Sequence, residues 1–283
     1  MNLERNEFKV LEVLERNECC DINEELLNQL KAKNYISDDL KITEDGLNAL
    51  EPYRVKRAIF IAAGFGSRLV PLTINSPKPL IRVHGVRMID TLLDAVVKAG
   101  IEVIIIVRGY LWEQFDQLLY KYPNIKFIEN LDFNKANNIS SAYKVRHLLQ
   151  NAYVLEADLV LSNPNLITKY QYTSNYLGVK TDYTDDWCFK VNEKGIITEV
   201  LVGGNDVHHM YGISYWNKKD GKQLEEDIKR VYEMPGGKDK YWDEVSLRFA
   251  KENYEIEVRE CTFDDIVEID SYQDLKKIDE TYQ

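Results

Sequence analysis

Residues 57–80 read RAIFIAAGFGSRLVPLTINSPKPL, and the rest of the chain is read outward from them. Ile59, Phe60 and Ile61 form a short unbroken apolar run, as in a strand buried on both faces of a parallel sheet. Gly64 and Gly66 follow at once. Lacking Cβ atoms, they let the backbone turn sharply and bring successive N–H groups against phosphate oxygens. Arg68 and Lys78 bracket the loop, and Pro77 and Pro79 stiffen the backbone on either side of the lysine. The stretch is not a P-loop, since no G-K-[ST] follows, and it lacks the third glycine of the dinucleotide fingerprint at the expected spacing.

Downstream, Val86–Ala99 carries Ile89, Leu92, Leu93, Val96 and Val97 at helical spacing, with Gly100 as a C-terminal stop. Val103–Val107 reads as a second buried strand, Leu111–Tyr120 as a helix and Lys126–Glu129 as a third strand. This alternation predicts an α/β fold, a doubly wound, mixed and mainly parallel sheet. Right-handed crossovers then bring the strand C-termini, and the Gly64 loop with them, to one edge. Asn130 opens a polar loop containing Asn134, Asn137 and Asn138, which either turns the chain and caps the helix starting at Ile139 or contacts a nucleotide. Tyr153–Ala157 is a further apolar strand ending in Asp158, and Ile266–Tyr272 reads IVEIDSY, a short strand ending in Asp270 before a terminal helix. A carboxylate at a strand's C-terminal end lies where such folds place ligands, and one or two carboxylates with phosphate oxygens suit Mg²⁺.

The N-terminal segment is organised differently. Helices are expected over Glu4–Arg16 and Asn23–Asn34, a small two-stranded wing over Ile36–Ile42, and a third helix capped by Thr43. The run I-T-E-D-G-L-N-A-L resembles the wing and closing helix of winged-helix domains, which gives a boundary near Pro52–Lys56 and two domains, 1–55 and 56–283. Met1–Lys56 holds eight Lys and Arg against thirteen Asp and Glu, a poor match to DNA, so packing or protein contact ranks above DNA binding through residues 1–55.

At 283 residues, 45% hydrophobic and 29% charged, the chain has ample material for a globular core. Its net charge of −11 argues against broad nucleic-acid binding. MNLERNEFKV does not resemble a signal peptide and no apolar run approaches a membrane span, which predicts a cytoplasmic protein without a membrane partner. Cys19, Cys20, Cys188 and Cys261 lack the spacing of a zinc site or a disulfide framework and read as reduced thiols.

The arrangement A-A-G-x-G-S-R-L-x-P-L-T, with S-P-K-P-L-I downstream, resembles the signature of nucleotidyltransferases that couple a phosphorylated small molecule to a nucleotide. The resemblance implies a Rossmann-like sheet. Ala62, Ala63, Gly64, Gly66 and Ser67 would bind the nucleotide, with Asn137, Asn138 and Ser140 beside it. Arg68 and Lys78 would be the catalytic cations, and Asp158 and Asp270 the Mg²⁺ ligands. T-D-D-W and K-Y-W-D look like stretches of the bacterial CTP:phosphocholine cytidylyltransferases, a likeness running roughly from Lys56 to Gln283. Trp187, Asp186, Tyr241, Trp242 and Asp243, expected in loop or helix-start positions, are then the candidate acceptor residues, because aromatic faces with a carboxylate suit a quaternary ammonium, whereas Tyr215 and Trp216, on a strand from Met210, read as core.

The expected reaction is Mg²⁺-dependent transfer of CMP from CTP to phosphocholine. Arg108 and Val70 depart from the family's usual residues and leave open another acceptor: 2-aminoethylphosphonate, phosphoethanolamine or a sugar 1-phosphate. From a different class comes a nucleotide-sensing regulator that binds DNA. Oligomeric state, including a homo-oligomer, is left open by the residues alone.

Overall fold

The computed structural model describes residues 3–283. The chain divides into two units, one up to Val55 together with Lys169–Tyr172, the other comprising Lys56–Thr168 and Thr173–Gln283.

The smaller unit holds helices α1 (Arg5–Glu15), α2 (Glu24–Ala32) and α3 (Glu44–Leu50). Each begins on a side chain that satisfies free backbone N–H groups: Glu4 and Glu7 form a capping box on α1, Asn23 accepts from Leu26 N–H, and Thr43 accepts from Gly46 N–H. Between α2 and α3 a single antiparallel bridge joins Ile36 and Ile42. Phe8, Leu11, Leu30, Ile36, Leu50 and Tyr53 form the core with Tyr170, and Tyr172 stacks on Tyr53 with centroids 5.4 Å apart. A four-residue segment from far along the chain thus completes this small core.

The larger unit contains strands β1 (Arg57–Ala62), β2 (Arg82–Val83), β3 (Val86–Arg87), β4 (Val103–Arg108), β5 (Ile125–Glu129), β6 (Ala152–Glu156), β7 (Leu159–Leu161), β8 (Asn175–Val191), β9 (Ile197–Trp216), β10 (Glu257–Glu260) and β11 (Ile266–Glu268). Its helices are α4 (Met88–Lys98), α5 (Ile139–Val145), α6 (Lys218–Glu233) and α7 (Tyr272–Ile278). Seven strands form one sheet in the order β10-β8-β9-β6-β1-β4-β5. β6, β1, β4 and β5 run parallel, as do β10 and β8, while β9 is antiparallel to both its neighbours. The sheet is therefore mixed and mainly parallel, as the alternation of strands and helices predicts.

Ile59, Val107, Val154 and Trp216 meet the apolar faces of α5 and α6 in one large core. Because β1, β4 and β6 are parallel and in register, with Ile61 opposite Glu156 and Ala62 opposite Arg108, their C-terminal ends share one edge. That edge receives the Gly64 loop, Gly109 and Asp158 together.

Three local expectations change. The helix expected from Val86 starts at Met88, because Arg82–Val83 and Val86–Arg87 pair first as a short hairpin. Trp112–Tyr120 is a 3-10 helix rather than an α-helix. The acidic stretch around Trp187, expected in a loop or at a helix start, lies within the 17-residue strand β8, where Trp187 pairs with Val202 of β9 after a register shift at Thr184. Interstrand hydrogen bonds override the low strand propensity of its aspartates.

Candidate active site

The site is built around the turn after β1. Gly66 has a left-handed backbone (φ 67°), and a Cβ there would stand 2.9 Å from Lys78 Cβ, so only glycine lets the loop fold down on the lysine. Thr73 Oγ1 donates to Gly66 O at 3.0 Å, holding the loop closed. Gly109 allows a second close approach, since a Cβ there would lie 2.9 Å from Ala63 O. Arg108 is buried against Phe127 and Trp112 and donates to Asp116 and Glu129, a structural ion network at the end of β4.

The cations and carboxylates meet across more than two hundred residues of sequence. Lys78 Nζ lies 2.8 Å from Asp158 Oδ2 and 3.2 Å from Asp270 Oδ1, while Arg68 forks onto both oxygens of Asp270 at 2.8 Å each. Burial alone would depress the Lys78 ammonium, but the Asp158 and Asp270 carboxylates outweigh it and hold it above the usual lysine range.

Carboxylate oxygens of Glu156, Asp158 and Glu268 lie within 4.8 Å of one another. Burial, followed by neighbouring carboxylates, pushes Glu156 and Glu268 well above the ordinary glutamate range. Asp158 Oδ1 is buried without a hydrogen-bond partner. An orphaned carboxylate oxygen beside two more carboxylates is a donor set that fits a hard divalent cation. Glu156 is not among the residues the motif points to, although an acid inside the apolar run Tyr153–Ala157 is a readable signal.

An open cleft of about 260 Å³ joins these parts. Ala62, Ala63, Gly64, Gly66, Arg68, Lys78, Asn137, Asn138, Ser140, Glu156 and Asp158 line it, with Phe133 and Ala136 giving an apolar wall. Ser67 is exposed next to the cleft's Gly66 and Arg68, and Asp270 is ion-paired to Arg68 and Lys78 and stands outside the Glu156–Asp158–Glu268 cluster. The buried Asn130, which opens this polar loop, donates to Ser140 Oγ and Ser141 Oγ, and Ser140 Oγ donates in turn to Asn137 O.

The candidate acceptor residues separate. Tyr241 is 46% exposed and meets the half-buried Trp187 edge to face at 5.7 Å, and Asp186 Oδ1 accepts from Trp187 N–H. Trp242 is only 1% exposed. It is a core residue, not a pocket wall: it stacks on Tyr176 and meets Trp216 edge-on, because consecutive residues at this turn face opposite ways. Asp243 is buried too, accepting from Tyr176 Oη at 2.8 Å, and burial pushes its carboxyl up to about 7. Tyr215 and Trp216 are core, as their strand position predicts. His208 and His209 diverge on β9, toward Glu260 and Thr184, and all four cysteines are free thiols. Among the described residues no helix is long and apolar enough to cross a membrane.

A glycine-bearing turn at the C-terminal edge of a parallel sheet, with two fixed cations facing clustered carboxylates, is a nucleotide-phosphate site in its physical design. The nucleotidyl transferase family profile matches residues 57–183. The 2-aminoethylphosphonate cytidylyltransferase of Lancefieldella rimae is 37% identical over 228 residues, covering 80% of this chain and 92% of that protein. The choline-phosphate cytidylyltransferase of Streptococcus pneumoniae is 33% identical over 227 residues, covering 79% and 97%. The solved structure of the S. pneumoniae CTP:phosphocholine cytidylyltransferase superposes with a TM-score of 0.74, covering 81% of this chain and all of that one. An apo UDP-glucose pyrophosphorylase, 16% identical with a TM-score of 0.61, shares the fold. The chain belongs to the nucleotidyltransferase family, and within that enzyme family to the cytidylyltransferases.

Proposed function

We propose that this protein transfers CMP from CTP to phosphocholine, giving CDP-choline and pyrophosphate. The observation that carries the reading is the convergence of Arg68 and Lys78 with Asp158 and Asp270 at the Gly64 loop. In this reading an oxygen of the acceptor phosphate attacks the α-phosphorus in line. The new P–O bond forms as the bond to pyrophosphate breaks. That oxygen is already anionic at neutral pH, so no protein nucleophile or base is required.

Acceleration then comes from positioning and from charge placed where it develops. The backbone of Ala62–Ser67 cradles the nucleotide phosphates. Arg68 exchanges its fork on Asp270 for the β- and γ-phosphates, a geometry guanidinium matches bidentately. Lys78 acts as a point charge on the α-phosphoryl. Glu156, Asp158 and Glu268 would hold a divalent cation, with Asp270 beside them, and bound Mg²⁺ would neutralise phosphate charge and orient the attack. Trp187, Tyr241 and Asp186 form the acceptor side, where aromatic surface and a carboxylate receive the trimethylammonium.

A second acceptor, 2-aminoethylphosphonate, is favoured by one observation. The Arg248 guanidinium lies 4.9 Å over the Trp187 ring and donates to Glu244 Oε1 at 2.8 Å, so one face of the indole already carries a cation. A primary ammonium bound by carboxylates would not compete for that face.

A pyrophosphate-release screen crossing the four NTPs with phosphocholine, phosphoethanolamine, 2-aminoethylphosphonate and sugar 1-phosphates tests both readings. The highest kcat/KM is expected for CTP with phosphocholine. Turnover of the phosphonate without phosphocholine would replace the acceptor, and release only with sugar phosphates would overturn both.

A further inference from the structure

Asn137 and Asn138 stand in the cleft where a nucleotide contact is expected, yet their polar atoms are already committed elsewhere. Asn138 Oδ1 accepts the backbone N–H of Trp242 at 2.9 Å, and its Nδ2 donates to Glu156 Oε1 at 3.4 Å. Asn137 N–H donates to Lys238 O at 2.7 Å, its Nδ2 donates to Asp239 O at 3.3 Å, and its Oδ1 accepts from Asn138 N–H at 2.7 Å. Three of these bonds run to one segment about a hundred residues away.

That segment needs holding. It leaves the end of α6 through Gly236, in the left-handed region at φ 72°, and through Gly237, where a Cβ would meet Val231 O at 1.8 Å. Lys238 and Asp239 are exposed and contribute nothing to the core. Lys240 and Tyr241 stand between the Asp239 carbonyl and the Trp242 amide, the two groups that the asparagine side chains grip. A bond at each side of this pair restrains its backbone far better than either alone.

We propose that Asn137 and Asn138 are positioning residues for the acceptor half of the site, holding Lys238–Trp242, and through it Tyr241, against the nucleotide cleft. The assignment rests on the reading that Tyr241 faces the acceptor. It makes the asparagine loop a strut between the two substrates rather than a reader of the base. The strut also ends on Glu156, so the acceptor segment, the cleft and the carboxylate cluster are tied through one amide.

The test uses the full chain with Asn138→Ala and Asn138→Asp. The aspartate keeps an oxygen for the Trp242 N–H, while alanine does not. With the acceptor that the wild type turns over, Asn138→Ala is expected to raise the acceptor KM roughly ten-fold while CTP KM moves less than about three-fold; one lost hydrogen bond to an ordered segment has that size.

Hydrogen exchange gives a readout independent of turnover. The Trp242 amide should lose about ten-fold in protection in the alanine variant, regain it in the aspartate variant, and leave β1 and β6 amides unchanged. A rise confined to CTP KM, or equal rises for both substrates, overturns the proposal, as does an unchanged Trp242 amide. If the wild type turns over no acceptor, the functional reading fails, and the exchange result alone decides whether the strut exists.

Discussion

Asp243→Asn probes the buried charge beneath the site through stability. Burial raises the Asp243 carboxyl against the lowering effect of the Tyr176 hydrogen bond, with Glu244 adding to the rise, to about 7 from an ordinary 3.8. That difference is roughly three units, and at about 1.4 kcal/mol per unit it sets a ceiling of about 4 kcal/mol. The folded protein holds this proton more tightly than the unfolded chain. Unfolding therefore releases a proton throughout the window, and stability is fully present near pH 4, falls as the pH rises toward 7, and levels off above.

Asparagine has no such proton, but its amide oxygen can still accept from Tyr176 Oη, so the fold survives. Glu156, raised by its own burial and then by Asp243, keeps a slope of the same sign, so the variant's curve is expected to be flatter rather than flat. Urea titrations at several pH values between about 4.5 and 8 measure it. The wild type should lose about 2–4 kcal/mol more than Asp243→Asn across that range, at no more than about 1.4 kcal/mol per pH unit for this proton. Parallel stability curves for the two proteins would refute the reasoning, because Asp243 would then be as acidic folded as unfolded.

Two further outcomes are expected. Lys78→Ala should fold normally and lower turnover by roughly two to three decades, the size of losing one preorganised electrostatic donor; ordinary single-turnover rates in the folded variant would remove Lys78 from the chemistry. A fragment ending at Val55 lacks Tyr170 and Tyr172, and large aromatic groups contribute about 3–5 kcal/mol each when buried, comparable with the whole stability of a small domain. Its circular dichroism should show no cooperative melt, whereas a sharp transition in the fragment would show that the distant segment is dispensable.

The residues of 57–80 carry their own structural instructions. An apolar run specifies a buried strand, Gly66 specifies a turn only glycine permits, and flanking prolines stiffen the lysine's backbone, all through local sterics that need no distant partner. The same locality made Thr43 legible as a helix cap and Asp158 as a carboxylate just past a strand end, though the strand itself stops at Glu156 and Asp158 stands in the turn before β7.

What the sequence could not express is anything created by register or by long-range pairing. The β8–β9 hairpin turns an acidic stretch that reads as loop into strand, and with it turns Trp187 toward Tyr241. Adjacent letters in Y-W-D part company, Tyr241 to solvent and Trp242 to the core, because only the packing of Tyr176 and Trp216 decides which face of the turn is inside. Glu156 and Asp158 join Glu268 only once β11 pairs antiparallel with β7, which sets Glu268 opposite Leu159, the residue after Asp158. Arg68 finds Asp270 across 202 residues for the same reason: the chain alone determines which charges exist, and the tertiary structure decides which of them meet.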